Sequence, residues 1–176
     1  MARHEGAHHE EARHEGGCLC GAVRFAVSAD PMRVTVCHCH FCQRTTGTAY
    51  LVEPVFAKTQ FRFTSGTPKT YDAVSAGSGK RVTIHFCSTC GARVLLTFER
   101  FPDAVGTFAG SFDDPNRLGL ASDIVRHVFT GSAQHGTVLP AGVPLFHEHA
   151  FRLDGSLNEP KVLTAPAQTS GMEKSA

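Results

Sequence analysis

The chain has 176 residues, a length that suits one domain with tails and a core large enough to fold without disulfides. Hydrophobic residues make up 41% and charged residues 19%, which excludes global disorder. Lys and Arg number 17 against 16 Asp and Glu; the net charge of +1 gives no electrostatic footprint for nucleic acid, and no apolar run approaches the roughly 18–20 residues of a membrane span.

Residues 1–15 are rich in His and Glu, and Ala2-Arg3-His4-Glu5-Gly6 recurs as Ala12-Arg13-His14-Glu15-Gly16. This composition predicts a disordered tail, with metal scavenging by its histidines as the alternative. It has no apolar stretch of the kind a secretory signal needs, so the expected compartment is the cytoplasm, where thiols stay reduced. Residues 16–155 carry the core-forming sequence and read as one domain. Strand character recurs at Ala22–Val27, Ala49–Val52, Gln60–Thr64, Arg81–Phe86, Val94–Phe98, Thr107–Ala109 and Ile124–Phe129. Turn residues punctuate the gaps at Ser65-Gly66, Gly77-Ser78-Gly79, Asp113-Asp114-Pro115-Asn116 and Pro140-Ala141-Gly142. No segment sustains the apolar spacing of a long helix. The prediction is a mainly β, single-domain fold followed by a loose tail over residues 156–176.

Seven cysteines cannot all pair within one chain, so a complete disulfide framework is excluded. They fall in three groups: Cys18 and Cys20; Cys37, Cys39 and Cys42; Cys87 and Cys90. Cys87-Ser88-Thr89-Cys90-Gly91 has the spacing at which two thiolates meet one tetrahedral zinc about 2.3 Å away. Cys18 and Cys20 also precede a glycine, and the two pairs together make a four-cysteine site with no open position. That is the structural pattern of zinc coordination. The middle group offers three thiolates within six residues and leaves one tetrahedral position over, which is the catalytic pattern. Three thiolates on Zn²⁺ carry a net charge of −1 and suit it to holding a sulfur nucleophile better than to generating hydroxide. Two alternatives stand beside this one. His38, His40 or His85 closes the site, or the cysteines are redox-active without metal.

In Gly17–Phe25, Cys37–Gly47, His85–Gly91 and Ala109–Pro115 the chain resembles the glutathione-dependent formaldehyde-activating enzyme family, also called the centromere protein V family. The resemblance runs from about Gly16 to about Phe146. It implies an Mss4-like zinc-binding β fold. It implies a structural zinc on Cys18, Cys20, Cys87 and Cys90, and a catalytic zinc on Cys37, Cys39 and Cys42. The implied reaction is a carbon–sulfur lyase activity that condenses glutathione with formaldehyde to S-hydroxymethylglutathione. The implied partners are a glutathione-like thiol and an aldehyde, with no nucleic acid and no membrane. Members of this family often carry a Trp in their last third; this chain has none.

Among neighbouring residues, Arg44 is a candidate for pairing with a substrate carboxylate. Gln43 is a candidate for hydrogen bonding to substrate or backbone, and His38 for a proton-transfer or supporting role. Gly47 is expected to serve the backbone, His85 to pack, and His147 and His149 to be solvated. Asp113–Asn116 reads as a capped turn. The competing functions are a zinc-stabilised binding module of the same fold and a redox switch.

Overall fold

The computed structural model describes residues 13–120 and 123–170. Seven strands form the main sheet. In chain order these are β3 (Arg33–Cys37), β4 (Leu51–Ala57), β6 (Lys69–Val74), β7 (Arg81–Phe86), β8 (Arg93–Phe98), β9 (Ala104–Thr107) and β10 (Val125–Val128). Their spatial order is β10-β3-β4-β9-β8-β7-β6. Every pairing is antiparallel except that of β10 with β3. A smaller antiparallel sheet joins β1 (His14–Gly17), β2 (Arg24–Val27) and β5 (Phe61–Ser65). The one α-helix among the described residues, α1 (His40–Thr46), spans seven residues. The fold is mainly β, with a single main sheet as its scaffold.

The main sheet has a core on each face, because side chains alternate along every strand. On one face Phe56, Val105 and Leu95 pack with Phe25 and Val27 of the small sheet and with Phe112 and Leu118. Phe25 meets Phe112 edge-on at 5.1 Å and stacks on Phe61 at 5.3 Å. On the other face Leu51, Leu96 and Ile84 pack under Phe108, Phe146 and Ala150. Each core buries one cysteine group: Cys18 and Cys87 in the first, Cys37 and Cys42 in the second.

The strand at Arg81–Phe86 is found as the sequence predicts, and those expected at Ala22–Val27, Gln60–Thr64, Val94–Phe98 and Ile124–Phe129 differ by one or two residues at their ends. The strand expected at Ala49–Val52 begins at Leu51 and continues through Pro54 to Ala57. It does so because it changes neighbours, pairing with β3 over Leu51–Val55 and with β9 over Val55–Ala57. The strand expected at Thr107–Ala109 lies earlier, at Ala104–Thr107, and Ala109–Ser111 is a 3-10 turn.

At the ends, backbone pairing is found on both sides of residues 16–155. His14 and Glu15 pair with Val27 and Ala26, so the sheet starts inside the segment expected as a tail; residues 1–12 lie outside the described region. His14 is buried against Phe56 and Phe112 and bonds Asp30 at 2.9 Å. At the other end Leu145 and Lys161 exchange backbone bonds of 2.9 and 2.8 Å. A short pair of strands, β11 (Val138–Leu139) and β12 (Ala167–Gln168), holds the last described stretch. Backbone pairing with distant partners orders both segments, and composition does not register such pairing. No helix among the described residues is long and apolar enough to cross a membrane.

Candidate metal centres

Cys18 and Cys20 lie in the loop between β1 and β2. The loop is closed by Cys18 N–H donating to the Val23 carbonyl at 2.9 Å, and Gly21 turns it with φ 75°. Cys87 and Cys90 lie in the turn between β7 and β8, where Gly91 (φ 73°) donates its N–H to the Cys87 carbonyl at 2.9 Å. The fold lays one loop on the other. Cys18 Sγ is 3.6 Å from Cys20 Sγ, and Cys20 Sγ is 3.7 Å from Cys87 Sγ. All four sulfurs lie within 4.8 Å of one another. Tetrahedral ligands about 2.3 Å from a zinc ion stand about 3.8 Å apart, so these separations suit four-fold ligation. They are far too long for a disulfide, and all seven cysteines are free thiols. Backbone N–H groups already point at the sulfurs: Val23 to Cys18 at 3.2 Å and Thr89 to Cys87 at 3.4 Å.

Cys37, Cys39 and Cys42 come together on the opposite face of the main sheet, their sulfurs also within 4.8 Å of one another. Cys37 ends β3, Cys39 is the N-cap of α1, and Cys42 sits one turn into that helix. The Cys39 Sγ accepts the Cys42 N–H at 3.4 Å. S–H donation from Cys37 and Cys42, joined by backbone N–H groups, holds the Cys39 thiol down to about 3. Among the described residues no histidine or carboxylate joins this group, so its donor set is three sulfurs.

The histidines of the alternative, closed site do not join the three sulfurs. His38 is fully buried, its Nε2 3.0 Å from His127 Nδ1 and its Nδ1 without a hydrogen-bond partner. Burial, with His127 alongside, pushes His38 down to about 4, which favours its neutral form. His40 is exposed, and His85 bonds the Thr97 hydroxyl at 3.1 Å. Gln43 bonds backbone: its amide N–H donates to the carbonyls of His38 (2.6 Å) and Ser132 (2.9 Å), bracing α1. Gly47 caps that helix with φ 72°, and Arg44 is exposed. Asp114 caps a turn by accepting the Asn116 N–H at 3.1 Å, whereas Asp113 grips Arg24 through both carboxylate oxygens. His147 is exposed as expected. His149 is half-buried, because Phe101 stacks on it at 5.7 Å and the Phe151 N–H donates to its Nδ1 at 2.9 Å.

Sequence reasoning missed three residues on the face that carries Cys37. The register pairs Cys37 with Leu51 and Val128, and two residues along it pairs Thr35 with Glu53 and Arg126. Arg33 is in the row beyond. Glu53 presses on Gly106, where an added Cβ would stand 2.0 Å from its Oε1. Burial pushes the Glu53 carboxyl up to about 8 against the pull of Arg33. Its proton therefore stays on in the folded protein while the unfolded chain releases its own near 4.3. The folded state binds more protons between those values, so stability falls as pH rises from about 4.5 to about 8. Glu53→Gln removes that dependence. Its melting temperature, measured against that of the parent, should gain steadily over this window by the equivalent of about 2 kcal/mol after allowance for partial screening, and then level off. A constant difference would contradict the assignment.

The sequence profile of the glutathione-dependent formaldehyde-activating enzyme family matches residues 13–132. A Halomonas elongata protein, named provisionally as a glutathione-dependent formaldehyde-activating enzyme, is 32% identical over 114 residues, covering 60% of this chain and 73% of the relative. A solved Rhodobacter sphaeroides structure superposes with a TM-score of 0.47 at 22% identity, covering 60% of this chain and 94% of that one. With its profile match spanning both cysteine centres, the chain belongs to the glutathione-dependent formaldehyde-activating enzyme family.

Proposed function

We propose that this protein is a zinc-dependent enzyme of the carbon–sulfur lyase type that adds glutathione, or a related thiol, to formaldehyde. The product with glutathione is S-hydroxymethylglutathione. The observation that carries this reading is the donor set of the second centre: three sulfurs together, with no fourth protein ligand among the described residues. Cys18, Cys20, Cys87 and Cys90 would hold a structural zinc; Cys37, Cys39 and Cys42 would hold the second. Zinc bound there would act as a Lewis acid at its open position and favour the thiolate form of a substrate sulfur at neutral pH. In the reaction a C–S bond forms, the carbonyl π bond breaks, and the proton lost by the thiol ends on the new hydroxyl oxygen. The chain's own part is to fix three ligands rigidly. Cys37 is anchored by the β3 ladder, Cys39 and Cys42 by the first turn of α1, and Gln43 ties that turn to the Ser132 loop. Seven unpaired thiols fit a reducing compartment, and we place the protein in the cytoplasm.

Protein purified with zinc should contain two equivalents per chain. NMR exchange spectroscopy should show faster interconversion of formaldehyde and its glutathione adduct in its presence, with the acceleration lost on chelation of the second zinc. An unchanged exchange rate with fully zinc-loaded protein would overturn the reaction and leave a zinc-stabilised binding module.

A further inference from the structure

On the sheet face that carries the three-cysteine group, three ionisable side chains stand together without a hydrogen-bond or ion-pair partner among the described residues. Arg126, Thr35 and Glu53 form one cross-strand row over β10, β3 and β4, and Arg33 belongs to the next row. Arg33, Glu53 and Arg126 are all half-buried. Among the described residues none of the three makes a side-chain hydrogen bond or an ion pair; they act on one another only through space. The Arg126 guanidinium lies over the Phe151 ring at 5.2 Å, which fixes its plane and leaves its N–H edges unused. Glycine at position 106 leaves room for the Glu53 carboxyl beside the Phe98 ring. Neither guanidinium is sealed from solvent, so these N–H edges are open to an incoming acceptor.

We infer that Arg33 and Arg126 form the subsite for a carboxylate of the thiol substrate, with Glu53 beside them as a further hydrogen-bonding group. This deepens the proposed reaction and rests on its use of a carboxylate-bearing thiol. Two arginines without acceptors match a carboxylate, which takes paired N–H bonds from a guanidinium fork. The neighbouring Glu53 holds its proton at neutral pH, so it adds no opposing charge and has an O–H to donate. The spacing also fits. Rows on one face of a strand repeat about every 7 Å, and the Cys37 row adjoins the Arg126 row. The thiol of a peptide cysteine is separated from a carboxylate one residue away by about the same distance.

Glutathione has two carboxylates, and its fragments tell them apart. S-methylglutathione has no free thiol, so its binding followed by NMR or calorimetry reports the subsite without the reaction. Arg126→Gln and Arg33→Gln should each weaken S-methylglutathione binding roughly 10- to 100-fold. They should raise KM for glutathione by a similar factor with kcat within about threefold, and leave 2-mercaptoethanol turnover unchanged. If γ-glutamylcysteine shows the loss and cysteinylglycine does not, the γ-glutamyl carboxylate occupies the subsite; the reverse pattern assigns the glycine carboxylate. If Arg126→Gln fails to fold, Arg126→Lys keeps charge and bulk but loses the fork, and should still weaken binding about fivefold. Affinity for S-methylglutathione unchanged in these variants, or undetectable in the parent protein, overturns the inference. A parent protein that binds S-methylglutathione through Arg126 yet leaves formaldehyde exchange unaltered would overturn the proposed reaction and keep the subsite.

Discussion

Cys87→Ser should yield a chain that does not fold, even when zinc is supplied throughout purification. Cys87 is 1% exposed and lies where the β7–β8 turn meets the first core. It shares its sulfur group with Cys18 and Cys20 of the β1–β2 loop, so this one group ties the small sheet to the large one. Metal binding at closed sites of this kind contributes about 10–16 kcal/mol, whereas a domain's whole net stability is about 5–15 kcal/mol. With zinc held there as proposed, replacing one thiolate by a hydroxyl would remove a contribution comparable to the net stability of the domain. The expected readout is a collapsed amide spectrum and no cooperative thermal transition, reproduced in the parent protein by strong chelation. A Cys87→Ser protein that melts like the parent would show that the four-cysteine group is not structural.

Cys39→Ser should do the opposite, losing activity while keeping the fold. Serine is among the best N-cap residues, and its Oγ can accept the Cys42 N–H that the Cys39 sulfur accepts now. The start of α1 is preserved, and stability, compared with both proteins stripped of the second zinc, should change by less than about 1 kcal/mol. What goes is one of three thiolates. Zinc content should fall from two equivalents to one, and formaldehyde–glutathione exchange should slow by at least about 100-fold. If Cys39→Ser loses its second zinc but exchanges formaldehyde as fast as the parent, the three-cysteine centre is not the site of the reaction. The two serine variants thus separate scaffold from chemistry on opposite faces of one sheet.

The cysteine groups were legible because ligand spacing is local. Cys37, Cys39 and Cys42 lie within six residues, and the glycines after Cys20 and Cys90 mark the turns that aim their sulfurs. Strands bounded by turn residues were legible for the same reason, β7 between Gly79 and Cys87 most clearly. Others were hidden by their setting. β6 is a mostly exposed edge strand, with no apolar alternation beyond Tyr71 and Val74; it exists because β7 offers it a ladder of six pairs. β1 reads as part of a polar repeat and is ordered by its pairing with β2.

The sequence by itself determined the odd cysteine count and its division into four and three. It also determined the short-strand character of the domain. These depend on residue type and near spacing. Only the tertiary structure decided that the two centres lie on opposite faces of the main sheet, that His38 meets His127 and that His85 meets Thr97. It also decided that Arg33, Glu53 and Arg126 gather beside Cys37. Arg126 reaches that row only because β10 returns to pair parallel with β3, some ninety residues away along the chain. A one-residue slip in that register would turn its guanidinium to the other face.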